Sequence, residues 1–153
     1  MSDFRFRAAV ALELRRKQEN SAATALAVAE AELRAAEARA AQADADRRTA
    51  QADQLAATRQ GTDAETLAWH RNWIVRLSND LAERRRQVDR LADVVREAEA
   101  QWRKARQRRL TLDRMRDRAW RRYQQDQQRQ ELKVIDELAR LRYVISDAWR
   151  DDS

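Results

Sequence analysis

Apolar residues return along this chain at alternating steps of three and four, and a turn signal interrupts the repeat once. In the first half, the seven-residue row Ala22, Ala29, Ala36, Ala43, Ala50 and Ala57 interleaves with Leu26, Leu33 and Ala40. Those steps place all of them on one helical stripe, the spacing of a coiled-coil seam. Alanines alone say little in so alanine-rich a segment; Leu26 and Leu33 in phase with them define the stripe. Arg47 and Gln54 occupy its last positions, so the seam is expected to loosen there. In the second half Ile74, Leu81, Val88, Val95 and Trp102 form one seam row. Leu77, Leu91, Ala98, Ala105, Leu112 and Ala119 form the other, with Arg84 as a defect. Across Gln124–Gln130 the pattern turns polar, and it resumes one position out of phase as Val134, Leu138, Leu141, Ile145 and Ala148. A polar break with a phase shift predicts a local bend or a segment with a partner of its own.

Between the two repeats stands Gly61, the single glycine of 153 residues that contain no proline. Glycine ends helices because it enters the left-handed conformation without a steric penalty. Thr62 can cap the following helix through its hydroxyl, with Glu65 three residues on to complete a capping box. The reading is all-α: two long helices forming an antiparallel coiled-coil hairpin, helix 1 about 5–59, turn 60–63, helix 2 about 63–149, in one domain over 1–153. Reversal at Gly61–Thr62 sets residue i near 122 − i, so Phe4 is expected near Arg118. The C-terminal helix is the longer and overhangs its neighbour. Its last apolar stripe then has nothing in the chain to cover it, the usual mark of a binding surface.

Composition narrows the chemistry. Charged residues make up 38% and aromatics 6% of the chain, a mix that suits long helices better than a compact globule. Without cysteine, disulfides, thiolate metal sites and cysteine nucleophiles are excluded. A single glycine rules out a phosphate-binding glycine loop. His70 stands alone and reads as an ordinary surface histidine. No catalytic set, metal site or cofactor site is expected, and the chain is read as a non-enzyme. The ten residues Asn20–Ala29 form the longest uncharged stretch of the first half, far short of the ~20 a membrane span needs. No secretory leader is visible, and a cytosolic location is expected.

The net charge of +6 is concentrated: residues 84–122 hold 15 basic and 6 acidic groups, whereas residues 1–60 hold 10 and 9. An acidic partner would be steered to that stretch. Asp113 and Asp117 interrupt the run Arg103–Arg122 and no DNA-reading fold accompanies it, which disfavours nucleic acid. Trp69, Trp73 and Leu77 lie at four-residue steps just past the turn. Two tryptophans exceed what fastening a hairpin needs, and large rigid aromatics favour interfaces.

These residues resemble a known family. Phe4-Arg5-Phe6-Arg7, then Val10, Leu12, Leu14-Arg15-Arg16 and an alanine-, leucine- and glutamate-rich helix are similar to the opening of the flagellar export protein family called FliJ. Trp102-Arg103 and Gln107-Arg108 match its second helix; Glu131, Lys133, Asp136, Glu137 and Ala139 match its terminal pattern, in which Leu132 replaces the usual glutamine. The resemblance implies a soluble, non-enzymatic stalk of the flagellar type III export apparatus, shaped like the coiled coil of a rotary ATPase γ stalk. It implies that the open end, with Phe4, Phe6, Leu138, Leu141 and Ile145, enters the hexameric export ATPase. It further implies that the turn end engages the cytoplasmic domain of the export-gate membrane protein, at the inner face of the cell membrane. Some members also handle export chaperones or substrates. Ungapped counting from Trp102 carries the family's gate-binding positions to Trp73, Leu77, Asp80 and Arg84; Trp69 joins them by its position on the helix. Asp80 and Arg84 stand where the family has a small residue and a histidine. The alternatives are the equivalent stalk of a virulence-type secretion system, a basic nucleic-acid-binding coiled coil, and a purely structural coiled coil.

Overall fold

A computed structural model describes residues 3–151. Its two helices, α1 (Ala9–Gln60) and α2 (Ala64–Asp151), pack against each other as an all-α helical hairpin. Gly61 has φ of +81° and no atom lies within 4 Å of where a Cβ would project. The position therefore selects glycine for its backbone angle, not for lack of room. The cap differs from expectation. Asp63, not Thr62, begins α2: its Oδ1 accepts the Thr66 backbone N–H at 2.8 Å and its carbonyl accepts the Leu67 N–H at 3.2 Å. A carboxylate is the stronger acceptor and also complements the positive end of the helix dipole, so it displaces a neutral hydroxyl one position earlier. Hydrogen bonds from Thr66 hold the Asp63 carboxyl below its ordinary value.

The chain divides into two units, to each of which both helices contribute. In Lys17–Arg106 the expected seam is present residue for residue. Ala29, Ala36, Ala43 and Ala50 are buried, and Ala22, Leu26, Leu33, Ala40 and Ala57 are half-buried. From α2, Leu81 is buried, while Ile74, Leu77, Val88, Leu91, Val95, Ala98 and Trp102 are half-buried. Within α1, Ala29, Ala36, Ala43 and Ala50 are covered more fully than Leu26 and Leu33 because a two-helix contact is a narrow strip: a methyl fits within it, while a longer side chain can project past its edge. The seam defect Arg84 is exposed and pairs with Asp80 at 3.6 Å. His70, read as a surface residue, instead occupies the seam row one heptad before Leu77 and is half-buried.

Arg47 breaks the row of Leu26, Leu33 and Ala40 and brings charge into the seam. Asp44 accepts from Arg47 Nη2 at 3.1 Å and lies 2.9 Å from Arg48 Nη2 and 3.9 Å from Arg85 Nη2 across the pair. Arg47 Nε is buried without a hydrogen-bond partner, a defect that costs about 1–3 kcal/mol where it occurs. Ala43 and Ala50 stay buried on either side of Arg47, so the charge is accommodated without exposing the alanine row.

In the unit formed by residues 1–16 and 107–153, Leu12 is buried and Leu110, Leu112 and Ala119 are half-buried. Asp113 bridges the helices, 3.4 Å from Arg16 Nη2 and 2.6 Å from Arg109 Nη1. Helix α1 starts at Ala9, later than the expected position near residue 5. Residues 3–6 are non-helical, with Phe4, Phe6 and Ala8 half-buried and Asp3, Arg5 and Arg7 exposed. That alternation of period two serves an extended segment and would scatter the phenylalanines around a helix. Phe4 meets Trp120 and Tyr123, two and five positions beyond the expected Arg118. The three-residue turn moves the reversal point, and diagonal reach of large side chains supplies the rest. The polar stretch 124–130 does not break α2, which stays helical throughout. From Gln128 to Arg150 every residue is exposed.

Candidate functional site

Two groups of side chains have more apolar surface than the fold consumes. The first follows the turn. One helical step of four brings Trp69 and Trp73 together, and their rings stack with centroids 6.2 Å apart at 14°. They remain 60% and 40% exposed, so the stack lies beside the seam and is not part of it. The ring of His70 meets Trp69 edge-on at 5.2 Å. Leu77 is placed differently from the tryptophans: it lies half-buried in the seam row. Asp80 and Arg84 are exposed and engaged with each other. Of the five expected residues, the structure brings the two tryptophans into one open aromatic surface. Asp80 and Arg84 would exchange their mutual pair for any other contact.

The second group lies in the other unit. Phe4 packs edge-on against Trp120 at 5.0 Å and 77° and tilted against Tyr123 at 5.5 Å, and Trp120 stacks on Tyr123 at 5.5 Å. Phe4 is therefore anchored on α2, and both Phe4 and Phe6 are half-buried and only partly open to a partner. Sequence reading had missed Trp120 and Tyr123. The available signal was an i, i+3 aromatic pair on α2 near the expected level of the Phe4–Phe6 opening. Beyond this cluster, Leu138, Leu141 and Ile145 are 56%, 58% and 56% exposed. With Ile135, Ala139 and Arg142 they line a shallow, largely apolar groove. Seam periodicity thus continues on α2 after α1 has ended, and this stripe has no covering helix.

The geometry defines a class first: an all-α helical hairpin with aromatic surface beside its turn and an uncovered apolar stripe on its longer helix. Residues 7–146 match the family of the flagellar FliJ protein, and the chain belongs to that family, whose setting is flagellar and type III protein export. Among solved structures, the chain is similar to a putative YscO homolog from Chlamydia trachomatis, with a TM-score of 0.57 and 16% identity. The likeness covers 95% of this chain and 98% of that one, and establishes a shared fold. No curated protein sequence matches the chain. No helix among the described residues is long and apolar enough to cross a membrane.

Proposed function

We propose that this protein is a non-enzymatic stalk of the flagellar type III export apparatus. It binds the hexameric export ATPase through its terminal end and the cytoplasmic domain of the export gate through the surface beside its turn. The observation that carries this reading is the uncovered stripe Leu138, Leu141 and Ile145 on a hairpin of the FliJ family. An exposed apolar row of this length is costly in water unless a partner removes it. Phe4 packs the opening segment on Trp120 and Tyr123, before that stripe on the same helix. At the turn, Trp69 and Trp73 offer the gate a rigid aromatic contact, followed along α2 by Leu77 and the Asp80–Arg84 pair. The protein works in the cytoplasm, at the inner face of the membrane where the gate lies, and export chaperones are further partners.

Co-purification with the cognate export ATPase tests this, together with ATP hydrolysis rates measured with the intact chain and with a chain lacking residues 124–153. The intact chain is expected to bind and stimulate, and the truncated chain to lose most of both. Failure of the intact chain to bind would end the stalk reading.

A further inference from the structure

The positive field of this chain has a defined face that neither proposed contact uses. Arg114, Arg118 and Arg121, with Thr111 and Asp117, line one groove on α2. At 100° per residue these positions fall within about a third of the helix circumference, on the side opposite the seam residues Leu112 and Ala119. All five are exposed. Some arginines of this chain are engaged: Arg86 and Arg90 with Glu83, Arg103 with Glu99, Arg109 with Asp113. Among the described residues, Arg114, Arg118 and Arg121 lack an ion pair, although Asp117 lies in their midst. Three unpaired guanidinium groups thus lie along about 10 Å of helix axis at the usual rise.

We infer that the Arg114–Arg118–Arg121 face docks an acidic protein surface, one presenting carboxylates at helical spacing. The partner is protein and not nucleic acid because Asp117 places negative charge within the array. A phosphate backbone, anionic at every step, would meet repulsion there, and no aromatic ring lines the groove for base stacking. A protein surface can set carboxylates against the arginines and a donor against Asp117. Planar guanidinium forks suit such bidentate recognition of carboxylates. The face belongs to the same unit as the uncovered stripe, so the inference rests on the export-stalk reading and adds an electrostatic contact to its ATPase-binding end.

The test uses the full chain and the cognate export ATPase, with affinity measured over a salt series. Arg114→Gln/Arg118→Gln/Arg121→Gln is compared with Arg71→Gln/Arg76→Gln/Arg86→Gln, which removes the same charge from exposed positions elsewhere. Glutamine is a good helix former, and circular dichroism checks that both variants fold. The first variant should bind about tenfold more weakly at low salt and show a shallower salt dependence, and the second should bind like the wild type. Arg114→Lys/Arg118→Lys/Arg121→Lys should recover part of the loss. Equal loss in both glutamine variants, or none in the first while the wild type binds, overturns the inference and leaves the stalk reading intact. A wild-type chain that does not bind the ATPase at all overturns both. A duplex oligonucleotide or a vesicle containing phosphatidylserine serves as a second probe. Tighter binding of either than of the ATPase, lost in the first variant, would reassign the face to phosphate and also overturn the inference.

Discussion

Leu81 and Asp63 illustrate two different ways in which one side chain holds this hairpin. Leu81 is 2% exposed, a branched side chain buried in a seam whose other buried residues are mostly alanine. Truncation to alanine removes methyl groups from a strip that is already narrow and cannot close on both sides. Leu81→Ala is expected to cost about 2–4 kcal/mol, read as a lower urea midpoint. Asp63 acts through its charge. Hydrogen bonds from Thr66 hold its carboxyl below the ordinary carboxylate value, so the folded form favours the ionised state. The cap therefore stabilises fully above the unfolded value, and its contribution fades as pH falls through the folded one. Asp63→Ala should lower the melting temperature at pH 7, and the gap from wild type should close as the pH falls below the ordinary carboxylate range. A gap independent of pH would mean that the carboxylate is not the cap. The sequence placed this cap at Thr62 because the spacing of Thr62 and Glu65 fits a capping box equally well. What decides between neighbouring candidates is acceptor strength, which spacing does not encode.

The two helices were legible almost entirely from the alternating three- and four-residue steps, because a seam between long helices has no competing contacts. Ala29, Ala36, Ala43 and Ala50 are buried where the row put them. Legibility failed where another period intruded: at Phe4 and Phe6, an alternation of two keeps the chain extended until Ala9. It failed again at Trp120 and Tyr123, whose contact with Phe4 depends on the level at which the helices pair. Along α2, the shift of phase after Gln124–Gln130 correctly announced a change, but the helix continues through it and only the cover ends. This has a direct consequence for stability. From Gln128 to Arg150 no side chain is buried or half-buried, so deletion of residues 124–153 should leave the melting temperature within a few degrees of wild type. Its backbone amides should also exchange with solvent far faster than those around Leu81, because isolated helices of this length open readily. Hydrogen exchange followed by mass spectrometry reads this segment by segment. Slow exchange over 128–150 would require a cover other than the binding partner.

A hairpin with different surface chemistry beside its turn and at its termini can in principle be altered at one without the other, and Gly61 provides the means. Its φ of +81° lies in the region that a β-branched residue avoids most strongly, and the surrounding space is empty. Gly61→Val would therefore add backbone strain without a clash, at least about 1–2 kcal/mol by the cost of the left-handed conformation. The chain can relieve that strain by shifting the turn and the first residues of α2, which carry Trp69 and Trp73. Leu12, the Asp113 bridge and the Phe4–Trp120–Tyr123 cluster hold the other unit through contacts that do not involve the turn. The variant is therefore expected to lose affinity for the cytoplasmic domain of the export gate while binding the export ATPase as the wild type does. Parallel titrations of one variant preparation against both partners would decide. If both affinities fell together, strain at the turn would have reached the terminal contacts. If neither fell, the surface beside the turn would not be the gate contact, and Trp69 and Trp73 would need another partner.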